Sequence, residues 1–404
     1  MDRPTEGFVH KLPPEVLCQI FLMCGDWDNT HIYPRDRFMH SYGGRAARFC
    51  FSRMAATISH VCSRWLHVSR ANPAFWTLVD LKVLEPHDVM VMRLCLQYSA
   101  GRPLVLRLEE FSASNNPISV CRQLMRIVSE TPGRWQELTI LMRDAVDALD
   151  SVLTLTNGLF TSLERVRLDL RVRGYDEWSI RLDSRFWQLL YTSPNLREVE
   201  WWGDPYDDLS ASSAPLQQLT QVVVKGIQPK HFIDLLRSCP QLEAIQACVV
   251  RALRDLRIPD IDIFPSSTRS ITLKKLRVLM LHGLEDYSRL FPILIVPALS
   301  RLELRQSGVQ AAAIESMLLR SDAALRMFTI HCPCTGWLDD IQGLLQSSAM
   351  QSLRIFRYDP CVGVWRQSDY ETLDIASFVP AHVKVFTSEY AVSEAAYRKL
   401  APVS

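Results

Sequence analysis

The chain holds 404 residues, 48% of them hydrophobic, with 45 basic and 44 acidic side chains and a net charge of +1. That length admits two or more domains with a large core, and the balanced charge supplies no global field for nucleic acid or an acidic membrane. The longest apolar run, Leu290–Leu299, holds about ten residues and two prolines where a membrane span needs about 20, so no membrane association is expected.

The first element in chain order is Leu12-Pro13-Pro14-Glu15-Val16-Leu17-Cys18-Gln19-Ile20-Phe21. Arg3 and Lys11 are isolated and Glu6 and Glu15 interrupt the apolar residues, unlike an export signal. With eleven scattered cysteines, this predicts reduced thiols and a cytoplasmic or nuclear location. Pro14 suits the first helical turn and Glu15 the positive end of the dipole. Val16, Leu17, Ile20, Phe21 and Cys24 then recur at helical spacing. So short a helix is unstable alone and must pack on a partner.

Residues 25–52 carry Gly43-Gly44, Pro34 and mixed polar residues, which predicts an inserted loop, and Arg35, Arg37, Arg45 and Arg48 make it locally basic. The expected partner helix follows, with Ile58, Val61, Cys62, Trp65 and Val68 on one arc. Pro73 disfavours helical geometry at Asn72 and ends it, and Phe75-Trp76 supplies an apolar anchor directly after the stop.

Leu12-Pro13-Pro14-Glu15, Leu17, Ile20-Phe21, Val61-Cys62, Arg64-Trp65 and Asn72-Pro73 with Phe75-Trp76 resemble, in this order, the F-box. The resemblance implies an all-α module that docks on the Skp-family adaptor of a cullin–RING ubiquitin ligase. Leu12, Pro13, Pro14, Leu17, Ile20, Phe21, Val61, Trp65 and Trp76 would make up that adaptor-binding module. The 25–52 insert departs from the usual short connection, and Leu94–Leu108 resembles the segment that follows the box in fungal F-box-like families.

Beyond residue 100 the pattern apolar-x-x-apolar-x-apolar starts at Pro103, Trp135, Leu163, Leu196, Leu219, Leu242, Leu276, Leu299, Leu325, Leu353 and Val383. The intervals run from 23 to 34 residues and average 28. Most copies follow a helix-like stretch, and helix, break and strand at that period describe leucine-rich repeats. Asn or Cys is usual soon after such a strand. Here Arg171, Asp204, Leu284, Ser307 and Pro333 stand there, which predicts an irregular array.

The expected fold is therefore an α/β solenoid. Residues 1–80 form an F-box-like helical module, 81–102 a connecting helix, and 103–404 irregular leucine-rich-repeat-like repeats. A surface excursion is expected within the 242–276 interval and a capping helix at the C-terminus. Side chains alternate along a strand, which places Arg167, Asp169, Glu200, Trp202, Val223, Lys225, Met280, His282, Glu303, Arg305, Thr329, His331, Arg357 and Asp359 on the concave face. Arg167, Asp169, Glu200, Trp202, His282, Glu303, Arg305, His331, Arg357 and Asp359 are the candidate substrate contacts, with Trp202 the conspicuous aromatic.

No phosphate loop, dinucleotide fingerprint, HExxH or GxSxG motif is present, so a non-catalytic chain is expected. Cys332 and Cys334 are spaced too closely for a zinc site and find no second pair, so no metal or other cofactor is expected. The functional expectation is a substrate receptor of a Skp–cullin–F-box ligase, with a protein substrate on the repeats. The alternative is a protein-interaction scaffold whose F-box-like helices only cap the solenoid. Acids interleaved on the concave strip argue against a nucleic-acid partner.

Overall fold

The computed structural model of the chain describes residues 11–26, 57–82, 84–109, 118–142, 146–155, 159–169, 185–202, 214–250, 269–283, 287–305, 310–331, 338–358 and 379–387. Most of the 25–52 insert, most of the excursion within the 242–276 interval, the C-terminal helix, Cys332, Cys334 and Asp359 lie outside them. The chain divides into two compact units, Met1–Leu196 and Arg197–Ser404.

The first unit opens with helix α1 (Pro14–Asp26), which packs on α2 (Ser63–Ala71). The sequence predicts one helix through Ile58 and Val68, but a turn at His60-Val61 and an extended Cys62 interrupt it. Residues 57–59 are helical, and His60, Val61 and Cys62, weak helix formers, separate that turn of helix from α2, which starts at Ser63. Asn72 ends it as expected. Its Oδ1 accepts from the Ala74 N–H at 3.2 Å, and Pro73 opens a 3-10 turn that buries Phe75 and Trp76.

Four parallel strands follow: β1 (Leu78–Lys82), β2 (Leu104–Glu109), β3 (Trp135–Leu141) and β4 (Arg165–Asp169), paired in that order. Parallel neighbours require crossover connections, commonly helical. Here α3 (Asp88–Tyr98) connects β1 to β2, and α4 (Ile118–Glu130) connects β2 to β3. The stretch expected as a connecting helix from 81 to 102 thus holds the end of β1 and then α3. α4 buries Val120, Cys121, Leu124, Met125, Ile127 and Val128 along one stripe. Arg134 donates to the carbonyls of Leu96 and Arg102 at 3.3 and 3.1 Å, satisfying groups at and just beyond the end of α3. A short α5 (Asp150–Leu153) precedes β4, and α6 (185–191) lies beyond it.

The second unit orders its strands β5 (Glu198–Trp201), β6 (Gln221–Ile227), β7 (Ala244–Val249), β9 (Val278–His282), β11 (Arg301–Arg305), β12 (Met327–His331), β13 (Ile355–Tyr358) and β14 (Lys384–Thr387), every pair parallel. Two-residue strands β8 (Ile271–Thr272) and β10 (Leu294–Ile295) pair separately. Helices α7 (Pro229–Ser238), α8 (Ala311–Ser321) and α9 (Leu338–Gln346) serve as crossovers. Asp322, in the left-handed conformation at φ 50°, stops α8.

Each of the eleven sequence repeats carries a strand, and register aligns their apolar residues into rows. Leu279, Leu302, Phe328 and Phe356 form one row, each fully shielded from solvent. Burying one such side chain contributes about 1.5–3 kcal/mol, so the rows dominate stability. A single residue of slip would turn a whole row to the other face.

Candidate functional site

Two surfaces hold the predicted residues. In the N-terminal pair of helices, Leu17 and Phe21 lie four residues apart on the inward side of α1 and are buried. The Phe21 ring lies 4.9 Å from Trp65 and 6.0 Å from Phe75. Phe75 meets Trp76 at 5.9 Å, and Trp76 meets Tyr98 of α3 at 5.1 Å. This aromatic chain joins the opening helices to the first crossover helix. Arg64 donates to the Leu12 carbonyl and anchors the start of α1 on α2.

The nine predicted adaptor residues therefore divide. Leu17, Phe21 and Trp76 form internal core, while Leu12 and Trp65 are half-buried. Pro13, Pro14, Ile20 and Val61 are exposed. Val16 and Ile20, 42% and 41% exposed, form an apolar stripe along α1, and Val61 is 56% exposed in the turn before α2. Periodicity places Val16, Leu17, Ile20 and Phe21 on one face of α1; packing splits that face into an inner and an outer edge.

The second surface is the polar face of the strands. In the first unit Glu137 takes Arg165 at 2.7 Å and Arg107 at 4.0 Å. Arg167 stands one register row further along, next to Thr139, and Asp169 is buried beyond it. In the second unit Glu200 accepts from Lys225 at 2.7 Å and from the Trp202 indole at 3.1 Å, while the Lys225 ammonium lies 3.5 Å from the Trp202 ring centroid. Trp202 is thus a half-buried member of a closed triad rather than a bare aromatic.

The densest cluster centres on Glu303, 3% exposed. Its carboxylate takes Arg301 at 2.6 Å, His331 at 3.2 Å and Arg305 at 3.3 Å, with His282 at 4.0 Å. Burial alone would raise the Glu303 pKa, but the His331 hydrogen bond and the charges of Arg301, His331 and Arg305 outweigh it and hold the carboxyl well below the usual range. Burial, then the neighbouring Arg305, push His282 down to about 3, against the opposing pull of Glu303. His282 is therefore neutral at neutral pH.

Strand alternation brought Glu303, Arg305, His282 and His331 together from sequence, and Arg357 stands across Thr329 on β13. Arg301 was missed, although Arg-Leu-Glu-Leu-Arg (301–305) alternates with the period that places all three charges on one face. Thr329, 1% exposed, and Gln246, 4% exposed, also lie on this face; Thr329 Oγ1 and Gln246 Oε1 make no hydrogen bond. Among the described residues no group of His, Cys, Asp and Glu has the arrangement of a metal site.

Register and crossovers define a leucine-rich-repeat-like α/β array. No protein-family model and no curated protein matches the chain. Among solved structures the chain is similar to the leucine-rich repeat-containing protein LegL7 from Legionella pneumophila, at 12% identity, over 74% of this chain and 98% of that chain, with a TM-score of 0.34. A likeness at that level carries no argument about function.

Proposed function

We propose that the chain is the substrate-recognition subunit of a Skp–cullin–F-box ubiquitin ligase, located in the cytoplasm or nucleus and without catalytic residues of its own. The opening helices bind the Skp-family adaptor, and the repeats hold a protein substrate near the conjugating enzyme, raising the effective concentration of its lysines. The observation that carries this reading is the split within the opening helices. Leu17, Phe21 and Trp76 complete a core, yet Val16, Ile20 and Val61 remain 41–56% exposed. A core that closes without these side chains leaves them available to a partner.

The aromatic chain from Phe21 to Tyr98 favours a second reading, a scaffold whose opening helices only cap the first repeat. Co-expression with a Skp-family adaptor, followed by size-exclusion chromatography, separates the two. The ligase reading expects a one-to-one complex that also recruits the cullin. A folded chain that never co-elutes with the adaptor refutes it.

A further inference from the structure

We propose that the polar face of β11–β13, with Phe386 on β14, docks an acidic peptide segment of a protein partner, taking carboxylates on Arg301, Arg305 and Arg357 and an apolar side chain on Phe386. The inference rests on the reading of the repeats as the partner-binding half and adds the chemistry that half selects.

Charge is the first argument. On this face from β9 to β14, among the described residues, Glu303 is the one carboxylate, against Arg301, Arg305, Arg357 and Lys384. Each guanidinium carries five N–H donors in a fixed fork, and Glu303 engages only part of those on Arg301 and Arg305. Glu303 is thus a positioning residue. It draws Arg301 and Arg305 to opposite oxygens and holds their forks in place, which lowers the entropy cost of binding a second carboxylate.

The second argument is independent of charge. Thr329 sits beside Glu303 in register and Oγ1 has no hydrogen-bond partner. A buried hydroxyl left unpaired costs about 1–3 kcal/mol, so its place on a binding face points to a missing acceptor. The third is apolar. Met327 and Ile355, each 5% exposed, continue the row of Arg301, and Phe386 packs on them. Phe386, held by that buried pair, thus stands in register with Arg357 on the face that carries the guanidinium forks, the arrangement that an acidic residue beside a large apolar one complements.

The test is panning of random dodecapeptides displayed on phage against the full chain, with an Arg305→Gln, Arg357→Gln variant panned in parallel. The expected result is enrichment of peptides with two or more Asp or Glu flanking a large apolar residue. A synthetic copy of such a peptide, read by fluorescence anisotropy, should lose about tenfold in affinity per arginine replaced. Thr329→Val should weaken it while leaving the thermal midpoint unchanged or raised, a combination that a purely structural hydroxyl does not give. No enrichment, enrichment without acidic excess, or equal affinity for a folded arginine variant would overturn the proposal. Adaptor binding is measured separately, so the two readings fail separately.

Discussion

The indole N–H of Trp76 donates to the carbonyl of Ser69 at 2.7 Å, and seven residues separate donor and acceptor. Trp135 makes the same bond to Val128 at 3.0 Å, across the same separation. In each case a helix ends, a 3-10 turn beginning with proline follows, and the tryptophan either opens the strand or closes the turn with one residue between it and the strand. The opening helices therefore feed the first strand by the device that feeds the third. Trp76→Phe and Trp135→Phe should each cost about 2–3 kcal/mol, because a carbonyl loses its partner and the ring shrinks. Urea unfolding measures this, and a loss under about 0.5 kcal/mol would show the bond to be dispensable.

Gly283 is fixed by a close approach. Its φ is 129°, and a Cβ there would lie 2.3 Å from the Val249 carbonyl oxygen on the neighbouring strand end. Gly283→Ala should destabilise the second unit by about 3 kcal/mol, from backbone strain and the clash together. Gly343, where a Cβ meets nothing within 4 Å, supplies the control. Gly343→Ala within α9 should be neutral or stabilising by up to about 1 kcal/mol.

Stability should fall on acidification. His282 has a folded-state pKa near 3 against the ordinary 6.5. Below pH 6.5 the unfolded chain thus takes up a proton that the folded chain refuses. Glu303 is held well below 4.5, so the stability it contributes is present above that value and lost as pH falls through its lowered one. Each group adds a slope of at most about 1.4 kcal/mol per pH unit. His282→Gln should flatten the decline from about pH 6.5 down to about 3, leaving below 4.5 only the share that Glu303 contributes. An unchanged profile would remove His282 from the account.

Sequence carried the repeats because burial repeats. Eleven copies of one apolar pattern mark eleven strands, since each needs the same two or three inward side chains. A twelfth copy, Trp76, Val79 and Leu81, was legible by the same rule and marks β1, but it reads equally as the end of the opening module. The division of Val16 and Ile20 from Leu17 and Phe21 was not legible. All four satisfy helical periodicity, and only the direction from which α2 packs distinguishes them. Strand alternation turns Trp202 to the concave face but does not show what covers it, because the Lys225 ammonium over its ring comes from a strand 23 residues later. Arg301 escaped because the repeat pattern marks it as a strand edge, whereas register with Met327 fixes it on the polar face.

Adaptor affinity of the wild-type chain and of an Ile20→Asp, Val61→Asp variant, measured by titration calorimetry on folded protein, tests the central claim most directly. Both positions are exposed, so unfolding free energy should change by no more than about 0.5 kcal/mol per site. The account predicts wild-type binding that falls at least about a hundredfold in the variant, as loss of a central apolar anchor does. Equal affinity in the two, or a folded wild-type chain that does not bind, would contradict it and leave the opening helices as a cap on the first repeat.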